Sequence, residues 1–352
     1  MTLPRQTTTR HVAPSATAPY AAFDLLVERL HGTDEHVRPA ALRELGSLAD
    51  TQPDLRDAVI GVICAFLRSP WTIRAREPGR DRRQDPPAAG PGGRLPGRQR
   101  GRHGRQPVLQ EGVGADSREP ELRRAAVALL ADHLRNPDSA TTWVGADLDL
   151  AGAVLVGADF SGCSFTGGRV RFEGAWCIEG RMSLAGARFL GAEVSFRHWT
   201  SGQGRLGFEG ARFCAGVVTL AGASLDADSL SLAGAVVEGG VFALTEARLQ
   251  AGVVDLTGIN VTSGTLSFAD ARLAGGRMLL VDARLMGGLT ALRHVRLAPG
   301  VLSIAGAQAL PGALDLHGTR VEDGVEGDAL LRLAGGPEFG SGSGSGAVSD
   351  RA

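Results

Sequence analysis

Apolar residues in the second half of the chain recur at steps of 2, 3, 2 and 5, so that one twelve-residue phrase repeats from Val170 onward. The stretch LSFADARLAGGRMLLVDARLMGG at 266–288 states it almost twice over. A first column runs Val170, Met182, Val194, Leu206 and on to Leu314, apolar in twelve of thirteen units with Thr290 the exception. A second column two residues later, from Phe172 and Leu184 to Leu316, is apolar throughout. The third is mostly Ala (Ala175, Ala187, Ala211 and successors) and the fourth mostly Phe, Leu or Val. Steps of two put both members of a pair on one side of an extended segment. Gly stands two residues before the first column in eleven of thirteen units and supplies the positive φ that tight corners require. A short fixed period of strand pairs and corners predicts a β-solenoid.

Reach sets the size of each turn. Twelve residues give a perimeter of at most about 40 Å, too small to enclose stacked Leu and Phe. Two phrases per turn, about 24 residues, give four walls with an apolar interior, and thirteen units then build a rod of roughly 30 Å at about 4.8 Å per turn.

The first half reads differently. Residues 1–18 carry no apolar period, and 19–72 predict a small helical domain. Phe23, Leu26 and Leu30 share one face, Val37, Ala41, Leu45 and Leu48 a second, and Leu55, Val59, Ile63 and Phe66 a third, with Pro53 near the start of that helix. Residues 73–116 are rich in Arg, Gly and Pro; ten Arg against three acids over 74–105 leave a net charge of +7 with no apolar period, which predicts a disordered linker. An Arg/Gly-rich nucleic-acid contact is the sharper reading of that stretch. No aromatic is interleaved for base stacking, which favours a solvated linker or an out-of-frame stretch of GC-rich DNA. Helical pattern returns over 117–139, with Leu122, Ala126, Leu129 and His133 or Leu134 on one face, and this helix is expected to cap a solenoid spanning 140–335. Residues 336–352 form a Gly/Ser tail.

Composition narrows the function classes. Net charge is −1, which excludes whole-molecule steering to polyanions, and every one of the 37 basic residues is Arg. Cys64, Cys163, Cys177 and Cys214 have neither zinc nor redox spacing, so reduced thiols in a cytoplasmic protein are expected. The longest apolar run, AVIGVICAFL at 58–67, is too short to span a bilayer, and MTLPRQTTTR lacks a signal-like apolar region. There is no Lys for a phosphate loop, no HExxH and no G-x-S-x-G. No catalytic, cofactor or metal residues are assigned, and an enzyme is not expected. Cys163 and Cys177 fall on inward columns as core fillers, and Asp255 and Asp315 on an outward Ser/Thr-rich column without a partner His.

The segment WVGADLDLAGAVLVGADFSGCSFTGG at 143–168 contains ADL, GAVL, GADF and GCSF at five-residue spacing. It resembles the pentapeptide-repeat proteins, in an actinobacterial-type variant with a helical N-terminal region. The twelve-residue phrase is then two pentads plus two corner residues. The resemblance implies a right-handed quadrilateral β-helix, mainly β behind a small α-helical domain. It also implies two functional readings: a scaffold or protein-interaction surface, and a DNA mimic acting on type II topoisomerase (gyrase). Mimicry needs dense outward negative charge, whereas 141–336 holds 19 acids against 15 Arg. Arg stands at positions where the family usually has Asp or Asn: Arg188, Arg212, Arg248, Arg272, Arg284, Arg296 and Arg320. With two phrases per turn, Arg248, Arg272, Arg296 and Arg320 fall in one file, the candidate docking stripe for an acidic partner. The plainer reading is a solvated edge, half neutralised by Glu246 and Asp270. The unit RHWTSGQG offers His198 and Trp199 as a surface contact, or else Trp199 and Ser201 exchange volume inside the core. The expected partner is an unknown protein, with nucleic acid and membrane disfavoured. Resemblance to the family also implies a homodimer through the solenoid end.

Overall fold

The computed structural model describes residues 18–71, 118–178, 181–199, 205–225, 230–249, 252–273, 276–297, 302–321 and 333–335. The Arg-rich stretch 73–116, residues 1–17, Ser201, the acids from Glu322 to Asp328 and the tail 336–352 lie outside the described residues.

Among the described residues, four α-helices open the fold: α1 (Ala18–His31), α2 (Val37–Thr51), α3 (Arg56–Arg68) and α4 (Glu119–Arg135). The first three bury the faces their spacing predicts. Leu26 and Leu30 do so on α1, Ala41 and Leu45 on α2, and Val59, Ile63 and Phe66 on α3, which is entered through a 3-10 turn at Pro53–Leu55. On α4 the predicted Leu122, Ala126 and Leu134 are buried together with Val127, Leu130 and Ala131, while Leu129 and His133 are half-buried. His133 stacks on the buried Trp143, ring centroids 3.9 Å apart, with Nε2 3.0 Å from Asp50 Oδ1. Helices and solenoid share one continuous apolar core.

Each turn takes two phrases, as reach demands. From Val170 to Leu314 one wall pairs in six consecutive steps of that length, through Val194, Val218, Phe242, Leu266 and Thr290, always in parallel. In chain order, wall one carries Phe165, Phe189, Phe213, Val237, Val261 and Leu285. Wall two carries the series just named. Wall three carries Leu249, Leu273 and Leu297, and wall four Met182, Leu206, Leu230, Val254, Met278 and Leu302. Walls one and two are bridged by two long strands, Arg188–Ser195 and Arg212–Thr219. The opening turn is tighter, because Leu148 pairs Val170 and Val154 pairs Trp176, a shorter step than two full phrases. Five-residue spacing persists there, and the extra corner residues come in only afterwards.

Identical side chains one turn apart sit at the strand spacing of about 4.8 Å, which is also a comfortable ring-stacking distance. Phe165, Phe189 and Phe213 accordingly form one stack with centroids 5.2 and 4.9 Å apart, and Phe172 lies 4.8 Å from Phe196. Phe208 and Leu256 are fully buried, so the four-column interior holds. Trp199 is also buried, at 1% exposure and edge-on to Phe196, which overturns the surface-contact reading of that side chain; His198 beside it is exposed. A large ring in the Ala column is accommodated inside the tube.

Corners are of two kinds. Gly216, from the near-invariant Gly column, has φ +80°, and a Cβ there would collide with the Ala192 carbonyl oxygen of the preceding turn. At Gly216 the corner is closed to a side chain, as it is at Gly168, Gly264 and Gly288, where a Cβ would also meet backbone of the preceding turn. The second corner lies four residues after the first column, and at Gly210 (φ +64°) a Cβ would meet nothing within 4 Å. It demands the left-handed backbone but leaves room. His198, Glu246, Asp270, Asp282 and His294 therefore occupy equivalent positions at φ 54–58°. Gly marks the first kind of corner in eleven of thirteen units and the second in eight, the other five being these His, Asp and Glu residues.

Candidate functional site

Wall three sets its strands two residues long, the first pointing out and the second in. Leu249 and Leu273 are buried, so their neighbours Arg248 and Arg272 must face outward. Pairing puts Arg248 beside Arg272, Arg272 beside Arg296 and Arg296 beside Arg320. The four predicted stripe residues thus form one exposed file along the rod, ended on one side by Ser224, which bridges to Arg248. Among the described residues no ion pair involves any of the four. Neither Glu246 nor Asp270 forms an ion pair with any of the four; Asp270 Oδ1 instead lies 3.4 Å from His294 Nδ1.

Wall one offers a contrast built from the same half-phrase. Its outward positions run Arg188, Arg212, Val236, Asn260, Arg284 and Gln308, so the cationic file is interrupted. Arg212 is also bound 2.6 Å from Glu238 Oε1, and that hydrogen bond raises the guanidinium pKa. Unbroken positive charge belongs to wall three.

Sequence reasoning did not foresee what flanks the file at its far end. Arg293, His294 and His317 lie one corner away, and the two-phrase offset of His294 from Asp270 was the available signal. Asp315 pairs with Arg293 and accepts the His317 amide hydrogen at 2.9 Å. Burial works to raise the Asp315 carboxyl, but these two donors outweigh it and hold it below the usual carboxylate range. Asp255 accepts the Thr257 amide hydrogen at 3.0 Å.

All four cysteines are free. Burial pushes the Cys64 and Cys163 thiols up to about 12, so neither is a thiolate nucleophile at neutral pH. Cys163 and Cys177 are core fillers, at 0% and 2% exposure. Cys214 is half-exposed with Sγ 3.2 Å from Glu238 Oε2, and its thiol is also raised, by burial first and then by Glu238. A cleft of about 450 Å³ lies where α3 meets the first turn, lined by Asp57, Cys64, Arg68, Asp147 and Asp149 among others, with Arg68 paired to Asp149. Among the described residues no group of three or more His, Cys, Asp or Glu could hold a metal ion, and no helix is long and apolar enough to cross a membrane.

The class defined by this geometry is a parallel four-walled β-solenoid closed at its N-terminal end by helices. Residues 143–175 match the family model described as pentapeptide repeats, in eight copies, and this matched segment is the five-residue opening of the solenoid. No curated protein and no solved structure matches the chain.

Proposed function

We propose that the protein is a non-enzymatic scaffold whose third wall docks an acidic protein partner. One observation supports this reading above others: Arg248, Arg272, Arg296 and Arg320 stand exposed and in register, with no ion pair to any of them among the described residues. Holding four like charges at roughly 4.8 Å spacing opposes folding slightly unless something neutralises them. A wall of unpaired cations is also the opposite of what imitation of DNA requires. The reading places the protein in the cytoplasm, where its four free thiols stay reduced.

Affinity capture from the native host, with wild-type bait beside an Arg272→Glu/Arg296→Glu bait, tests it. A stoichiometric partner retained by the first and lost by the second is the expected result. Identical captures on both baits would remove wall three from the account.

A further inference from the structure

We infer that the partner segment seated on wall three is an α-helix bearing Asp or Glu along one face, laid parallel to the rod axis. This rests on the docking reading above and deepens it. Spacing carries the argument. Successive Arg residues are one strand spacing apart, about 4.8 Å, so the file of four spans about 14 Å.

A helix with acids at i, i+4, i+7 and i+11 places them at about 0, 6, 10.5 and 16.5 Å along its axis. Centred on the file, no carboxylate is displaced by much more than about 1 Å, a mismatch that the three methylenes of Arg absorb easily. An extended acidic peptide repeats on one face only every ~6.7 Å. Centred in the same way, its end carboxylates overshoot by about 3 Å each, more than half the interval between neighbouring Arg residues. The helix is therefore the linear element whose period matches the wall.

Width points the same way. Glu246 and Asp270 stand exposed at the corner, two residues before Arg248 and Arg272. These acids border the file along half its length. A helix of about 10–12 Å diameter can lie on the cations and keep clear of that edge. A nucleic-acid duplex is broader and presents phosphates on two winding strands, which brings anions over the two carboxylates. Wall one, with its file broken at Val236 and Asn260, cannot offer four consecutive contacts. It provides an internal control on the same molecule.

The test uses the full-length chain and fluorescence anisotropy with labelled probes at low and at physiological salt. One probe is a helix-stabilised peptide with Glu at i, i+4, i+7 and i+11. A second has the same composition with its Glu residues distributed around the helix, and a third is a short DNA duplex. The faced helix is expected to bind about tenfold more tightly than the distributed one at low salt, with the advantage shrinking as salt rises. Arg272→Gln/Arg296→Gln should abolish that preference, and Arg188→Gln/Arg284→Gln on wall one should preserve it.

Equal binding of the two peptides would overturn the inference, as would tighter binding of the duplex or equal sensitivity to the wall-one variant. Failure here combined with Arg-dependent capture from the host would sink only the helical geometry. Failure of the capture itself would sink the docking wall.

Discussion

The helical cap and the solenoid solve burial in opposite ways. Inside the tube nearly every inward position is apolar, and stability comes from stacking like upon like at one strand spacing. In the cap a complete ion network is buried. Arg123 is 0% exposed, with Nε 2.8 Å from Glu119 Oε1. Its Nη1 donates to the carbonyl oxygens of Leu67 and Val154 at 2.9 and 3.0 Å, and its Nη2 to that of Ser69 at 2.9 Å. Glu119 is held from the other side by Arg38 at 2.8 Å, and the Arg123 guanidinium lies over Phe66 and Trp71. One side chain thereby joins α4, the end of α3 and the second strand of the solenoid. Residues 71 and 118, which bracket the long Arg-rich stretch, both lie within a few positions of groups that Arg123 touches. The tube repeats one packing from layer to layer, whereas the junction rests on one fully satisfied cation.

That contrast can be broken most severely at Arg123. Arg123→Ala leaves three carbonyl oxygens without their donor and Glu119 with Arg38 as its remaining cation, and should cost about 3–5 kcal/mol in chemical denaturation. A loss below about 1 kcal/mol would mean the cap is held by its apolar faces alone. Within the tube, the two corner types should separate. Gly216→Ala meets both left-handed strain and the Ala192 carbonyl and should cost more than about 2 kcal/mol, whereas Gly210→Ala carries strain alone, about 1–2 kcal/mol. Equal thermal shifts for the two variants would contradict the distinction.

Alkali probes the cap and the first turns together, because Cys64 and Cys163 sit on either side of that boundary. Their thiols are raised from 9.0 to about 12 by burial, so the stability they lend is whole below pH 9 and is lost as pH climbs toward 12. The fall in unfolding free energy across that window should flatten measurably in the Cys64→Ala/Cys163→Ala variant. The smallest effect belongs to Thr290, the one polar residue in the first column, whose Oγ1 is buried without a hydrogen-bond partner. Thr290→Val should raise stability by about 1 kcal/mol, and a destabilised variant would show that the hydroxyl is satisfied in solution.

How legible each region was follows from the same contrast. The four columns, the two-phrase turn and the alignment of Arg248, Arg272, Arg296 and Arg320 could all be read in advance, because thirteen repetitions average away the ambiguity of any single position. The left-handed corners at Glu246 and Asp282 were legible only from the Gly that fills the equivalent position in eight other units, since an acidic residue does not itself mark its φ. Trp199 could be read either way, as a contact or as core volume, and only the packed neighbour Phe196 decided it. Arg123 was the largest surprise. An Arg in an amphipathic helix is ordinarily solvated, and the carbonyl groups that receive it come from residues 31 and more positions away.

Sequence alone determined the period, which residues point inward, and the file of cations, because a strand alternates faces and a closed turn must return after a fixed length. Tertiary structure decided what happens once per molecule: the tighter opening turn, the seat of the helices against it, the buried charge that fastens them, and the absence of ion pairs to the wall-three Arg file among the described residues. A repeated interaction leaves a statistical trace along the chain. A unique one depends on distances between segments far apart in sequence, and those exist only after folding.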